Sequence, residues 1–246
     1  MQNRILKESF IKDNLADAFD VKLRKLLEKF QLDQISSKNS LDGIKKNKFN
    51  GIKFSTGVSI NNISLNQNDI GEFRTFLKLS PPLRSEEDRL SLIEGIKNDL
   101  IDVIVSDHIP EDEESKRLPF AQAATGSIGI ETLLSLALEL YHNESLSLDK
   151  IIKCLTINPA KILKINKGTL KKGSDADICI FDLEKPWVVK AEELKSKSKN
   201  TAIENRKLQG KVKMTFLNGD LAVSYTHLRA HETVLEIVCR LLLEKK

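Results

Sequence analysis

An apolar run at residues 101–105 breaks off at Ser106, Asp107 and His108, and Pro110 and the acids Glu111, Asp112, Glu113 and Glu114 follow. An aspartate beside a histidine where a buried strand ends is a pair of residue types that can hold a divalent metal or move a proton. Asp107 is therefore the leading candidate for a catalytic group, and a candidate metal ligand as well. Its plainer reading is a strand-end cap that bonds loop amides. His108 points to the other side of the strand end and reads as a supporting or structural group. Of the other histidines, His142 falls near the end of a long helical stretch, where the dipole favours a cation and a structural role suffices. His227 and His231 belong to the C-terminal tail.

The elements that would position such a site follow from periodicity. Residues 19–30 carry Phe19, Leu23, Leu26, Leu27 and Phe30 at helical spacing. Residues 32–36 read as a short strand, and a helix with Leu41 and Ile44 inward runs on to a stop at Gly51. Strands are expected at 52–59, 75–79 and 101–106. A helix capped by Ser85 precedes the last of these, and a long, mostly buried helix at 125–143 follows it. Strands alternating with helices indicate parallel βα units, whose sites lie at the C-terminal strand ends. Those ends offer Gln34, Asn61, the Ser80 to Arg84 turn, and Asp107. After Asn158 short strands and glycine turns follow, among them a hairpin turn at Asn218-Gly219. The polar stretch 190–207 reads as a solvated loop.

Composition excludes several classes. The chain has 246 residues, 40% of them hydrophobic, with a formal net charge of +4. No apolar run approaches the roughly 20 residues of a membrane helix. No basic stripe suits a nucleic acid. Cys154, Cys179 and Cys239 are scattered and odd in number, which fits a reducing cytoplasm. Cys154 and Cys179 read as inert core. Residues 223–246 form an amphipathic pattern, yet the stretch resembles the one-frame translation of a transposon-type sequencing adapter and is expected not to be native. That tail holds four Lys/Arg and three Asp/Glu, leaving +3 on the rest. Met1 is expected to be an internal methionine of a longer protein.

Four blocks, "SPPLRSEEDR", "IDVIVSDHIPEDEESKRLPFAQAATGSIGIETLL", "NPAKIL" and "GTLKKGSDADICIFD", stand in an order and spacing that resemble dihydroorotase, of the amidohydrolase superfamily. The resemblance runs from about residue 32 to about residue 222. It implies an α/β fold: the C-terminal half of an amidohydrolase β/α (TIM-like) barrel, strands five to eight, over residues 1–158, then a small β-sandwich subdomain over 159–222. It implies reversible cyclisation of carbamoyl-aspartate to dihydroorotate in pyrimidine biosynthesis, on zinc. An upstream half would carry a His-x-His pair and a bridging carboxylated lysine. Asp107 matches the family's catalytic aspartate.

Other positions depart from the family pattern. Gln34 and Asn61 stand where the family has histidine ligands, Ser80 where it has a substrate-contacting Asn, and Glu111 where a His helps bind the substrate carboxylate. Amide carbonyls are poor zinc ligands, and Glu111 would repel an anionic substrate. Arg84 could face that anion or pair with Glu86 or Glu87. Gly126 and Gly129 could turn backbone amides to a substrate carboxylate or simply form a tight helix entry. Lys116, Pro119 and Phe120 shape the loop over the mouth. The pattern implies a metal-poor chain, weakly active or non-catalytic, that scaffolds aspartate carbamoyltransferase. The alternatives are an active dihydroorotase with a reduced zinc site, or another cyclic-amide hydrolase of hydantoinase or allantoinase type. A homo-oligomer is expected, with neither nucleic acid nor membrane as partner.

Overall fold

The computed structural model describes residues 31–49 and 54–224. The helix expected over 19–30, the stop at Gly51, the first residues of the second strand, and the tail from residue 225 on lie outside the described residues.

Three parallel strands form the first layer in the order β1, β2, β3. Strand β1 (Gln31–Leu32) pairs with β2 (Ser55–Ser59), and β2 with β3 (Val103–Val105), in the register Gly57 to Val103 and Ser59 to Val105. Helix α1 (Lys38–Phe49) turns Leu41 and Ile44 into the core. A short helix α2 (Ile60–Ser64) starts directly at the end of β2. Helix α3 (Glu86–Lys97) forms as its sequence predicts: the Ser85 hydroxyl accepts from Asp88 N, three acids face the N-terminal end of the dipole, and Lys97 closes the last turn. Opposite the mouth, Asp102 Oδ2 accepts from Thr56 N (2.8 Å), Thr56 Oγ1 (3.0 Å) and Lys48 Nζ (3.1 Å). This carboxylate fixes β3 against β2 and so sets the height at which both strands end.

Several expectations are corrected. Residues 75–79 do not form a strand; Thr75–Leu77 is a 3-10 turn. The strand expected at 32–36 pairs as a strand only at Gln31–Leu32. After the short helix α4 (Glu113–Arg117), the long buried helix begins only at Leu133, as α5 (Leu133–His142). Helices α6 (Leu148–Leu155) and α7 (Ile157–Leu163) follow, so the "NPAKIL" block is helical and the boundary drawn after Asn158 falls inside α7.

The second layer is antiparallel, in the order β4 (Ile178–Val188), β5 (Lys207–Leu217), β6 (Asp220–Ser224). Among the described residues it is a single sheet, not two stacked ones. The hairpin turn lies at Asn218 (φ 52°) and Gly219 (φ 89°), as the Asn-Gly pair predicts. Val223 and Ser224, assigned to the tail, pair with Thr215 and Met214. Cys179 on β4 is exposed rather than core, whereas Cys154 is fully buried, and burial pushes its thiol up to about 11.

One hydrophobic cluster runs through both layers. It joins Val58, Ile60, Leu92, Ile96 and Leu136 to Val189, Leu194, Ala202, Ile203 and Leu208. The last five come from β5 and the segment before it, so this part of the chain shares the α/β core. The stretch 190–207, expected to be a solvated loop, instead buries Asn200, Thr201, Ala202 and Ile203.

Candidate active site

The C-terminal ends of the three parallel strands bring Gln34, Ser59 and Asp107 together. Beyond β1 the chain turns through Gln34 at φ 55°, and its backbone N–H donates to Asp33 Oδ1 (2.9 Å). Ser59 ends β2 and caps α2 by accepting from Asn61 N at 3.3 Å. Asp107 follows β3 at φ 49°, a left-handed geometry that Asp tolerates better than most residues. There Gln34 Nε2 donates to Asp107 Oδ1 at 2.9 Å. The Ser59 hydroxyl also bonds this carboxylate, while Asp33 repels it. Burial is the largest influence and holds the Asp107 carboxyl above its ordinary range; the bonds from Ser59 and Gln34 oppose that shift.

The other predicted residues stand apart from this trio. His108 Nδ1 accepts from Gly129 N at 3.1 Å, which leaves the proton of a neutral ring on Nε2. His108 is thus a structural group that anchors the return of the chain, bridged in parallel to Ser127. Gly126 N donates to Lys78 O (2.9 Å). Neither glycine amide is therefore free to meet a substrate carboxylate, and the helix they were to open begins further on. Ser80 and Arg84 are exposed. No hydrogen bond or ion pair among the described residues links either to Asp107. Arg84's expected partners are engaged elsewhere, Glu86 with Arg89 (2.6 Å) and Glu87 with Lys38 (2.7 Å). Glu111 is half-buried, and its N–H donates to Asn200 Oδ1 at 3.2 Å.

Zinc does not fit the described residues. Gln34 turns its N–H, not a lone pair, toward Asp107. Asn61 is 3% exposed, and its Nδ2 is buried without a partner. Among the described residues no group of three or more His, Cys, Asp or Glu could hold a metal ion. The site is a hydrogen-bond network around the Asp107 carboxylate, with the Asp33 carboxylate beside it.

Two residues that organise the mouth differ in how far the sequence showed them. Lys116 is 1% exposed and donates to Thr75 O (3.0 Å) and Ala124 O (2.9 Å). It was expected to shape the loop, though not to be buried. Asn200 was missed, because a Lys- and Ser-rich stretch carries no local signal for a long-range bond.

A pH-dependent prediction follows from Asp107. Its raised folded pKa means that the native chain keeps a proton that the unfolded chain releases from 3.8 upward. The stability from that proton is complete at low pH and is lost as pH rises through the folded value. At neutral pH the half-buried charge is a cost, moderated by solvent. Asn suits the φ of 49° and can still accept from Gln34 and Ser59. Asp107→Asn is expected to stabilise the chain at pH 7 by about 1 kcal/mol, with the gain shrinking toward pH 4. Urea unfolding at both pH values checks this; a loss of stability at pH 7 would refute it.

The fold agrees with comparison. The model of the amidohydrolase family matches residues 30–222, and the chain belongs to that family. It is a dihydroorotase-like member, as the sequence blocks indicated. It is 43% identical over 195 residues to the dihydroorotase of Ehrlichia canis (strain Jake), an alignment covering 79% of this chain and 43% of that protein. It is 40% identical over 190 residues to the dihydroorotase of Aquifex aeolicus (strain VF5), covering 77% and 45%. The chain spans less than half the length of these curated relatives. Among solved structures, the L-hydantoinase of Arthrobacter aurescens superposes with a TM-score of 0.75 at 28% identity, over 82% of this chain and 47% of that one. The dihydropyrimidinase of Brevibacillus agri NCHU1002 superposes with a TM-score of 0.74 at 22% identity, over 79% and 44%, and shows the fold alone. No described helix is long and apolar enough to cross a membrane.

Proposed function

We propose that this chain is a metal-poor, non-catalytic dihydroorotase-family protein that scaffolds aspartate carbamoyltransferase in pyrimidine biosynthesis. One observation carries the loss of activity: the bond from Gln34 Nε2 to Asp107 Oδ1 at 2.9 Å. Hydrolysis of a cyclic amide at neutral pH needs a metal to lower the pKa of water. An amide N–H donor directed at the Asp107 carboxylate stands where a ligand lone pair would be needed. The retained core and loops support a role for the surface instead, and the partner is the one the family resemblance suggests.

The test is to purify the full-length protein and measure zinc content, turnover in both directions and co-sedimentation with aspartate carbamoyltransferase. The expected result is substoichiometric zinc, turnover at least about a thousandfold below ordinary enzyme rates of roughly 1–1,000 per second, and co-sedimentation. Ordinary dihydroorotase turnover would refute the reading. A second reading, an active enzyme with a reduced metal site, is favoured by one observation. Asp107 keeps its strand-end place with a carboxyl raised toward the range of a working base. The same assay separates the two. The hydantoinase-like alternative draws on shared fold, whereas the higher sequence identities are to dihydroorotases.

A further inference from the structure

The excursion that leaves the end of β3 after His108 and returns at Ser127 forms the rim of the mouth, and its neck is closed both by the bridge between His108 and Ser127 and from outside. Asn200, from the connection between β4 and β5, is 3% exposed. Its Nδ2 donates to Ile109 O (3.1 Å) and Gly126 O (3.2 Å), and its Oδ1 accepts from Glu111 N (3.2 Å). Its own carbonyl accepts from Ile128 N (3.1 Å). One amide side chain thus joins the outgoing and returning limbs of the excursion and engages both of its donors. The limbs are close: a Cβ on Gly126 would lie 2.9 Å from Ile109 O. The segment bearing Asn200 is itself tied down on both sides. Glu131 accepts from Lys195 N (2.9 Å) and Ser196 N (3.0 Å), and Ala202 N donates to Ser127 Oγ (2.9 Å). Further along the excursion, other side chains hold the carbonyls: Lys78 those of Ala121 and Ala123, Lys116 that of Ala124. At the neck itself Ile109 N donates to Ser127 O (2.9 Å) and His108 Nδ1 accepts from Gly129 N (3.1 Å), and the side chain that reaches Ile109, Glu111 and Gly126 together is Asn200.

We propose that Asn200 is a positioning residue for the mouth: it holds Ile109, Glu111 and Gly126 in register, so the β4–β5 connection determines where the rim stands over Asp107. Buried carbonyls whose donor is removed must find water. Without Asn200 the neck therefore opens while the strands below it stay paired. The inference concerns rim geometry and holds whether or not the site turns over a substrate.

Amide hydrogen exchange on the full chain tests it, comparing Asn200→Ala, Asn200→Asp and Ser127→Ala with the parent. In Asn200→Ala the amides of Glu111 and Gly126 are expected to exchange at least about tenfold faster, with β2, β3 and α3 within about twofold of the parent. Asn200→Asp keeps the volume and the acceptor but loses both donors and sets an oxygen against two carbonyls. It should speed exchange at Gly126 as the alanine variant does while Glu111 N keeps its acceptor, and it carries the test should the alanine variant fail to fold. Ser127→Ala loosens the neighbouring tie and is expected to leave the neck protected. Unchanged exchange at the neck, an even rise across β2, β3 and α3, or an equal opening in Ser127→Ala would each overturn the proposal.

Discussion

Lys116→Ala is expected to destabilise the chain by about 4 kcal/mol, the sum of a core cavity and two abandoned carbonyls. Lys116 is among the largest fully buried side chains, at 1% exposure. Its ammonium meets two carbonyls, Thr75 O (3.0 Å) and Ala124 O (2.9 Å), and among the described residues it forms no salt bridge. In return Thr75 Oγ1 donates to Lys116 O at 2.5 Å. Lys116→Met separates the two contributions: it fills most of the volume and removes only the donors. Its cost should be about 2 kcal/mol, because the two orphaned carbonyls outweigh the relief of no longer burying a charge.

The pH dependence of Lys116 has a definite sign. Burial pulls its pKa below the ordinary 10.5, helped by Lys78 and opposed by Glu111. Between the lowered folded value and 10.5 the unfolded chain holds more protons, so stability rises with pH across that window. The neutral amine still has two N–H donors for its two carbonyls. Lys116→Met should flatten the rise. Urea unfolding from pH 7 to 10 gives both numbers, and a Met variant as stable as the parent at pH 7 would show that the carbonyls find other partners.

The same lysine explains why part of the fold was hidden from the sequence. Residues 75–79 read as a strand in the sequence, yet Thr75 gives both its carbonyl and its hydroxyl to Lys116, and Lys78 O accepts from Gly126 N. With its polar groups engaged by the excursion, this segment has no neighbouring strand to pair with. Residues 126–129 are likewise withheld from helix α5, because Gly126 N, Ile128 N and Gly129 N bond to Lys78 O, Asn200 O and His108 Nδ1. Helix α3 and the Asn218-Gly219 hairpin were legible because their signals are local: a serine cap in one case, two residues suited to positive φ in the other. Gln34 and Asp107 could each be named from the sequence. Their direct bond could not, since it joins residues that follow different strands, 73 positions apart.

Gly129→Ala should be a strongly damaging single-methyl change near the site, at more than about 3 kcal/mol. A Cβ on Gly129 would press into the carbonyl oxygen of Ser106, well inside van der Waals contact. That oxygen belongs to the backbone at the very end of β3, one residue before Asp107, and cannot swing aside. Relief requires the two chains to separate, which breaks the bond from Gly129 N to His108 Nδ1 and shifts Asp107 away from Gln34. Gly57 gives a sharp contrast. A Cβ there would press equally hard, but against Asp33 Oδ1, the end of an exposed side chain that can turn aside by giving up its one bond from Gln34 N. Gly57→Ala should therefore cost no more than about 1 kcal/mol. Thermal and urea unfolding of the two variants side by side decides the matter. Equal costs would mean that Asp33 is held as firmly as the strand-end backbone, and that the acidic side of the mouth is rigid rather than adjustable.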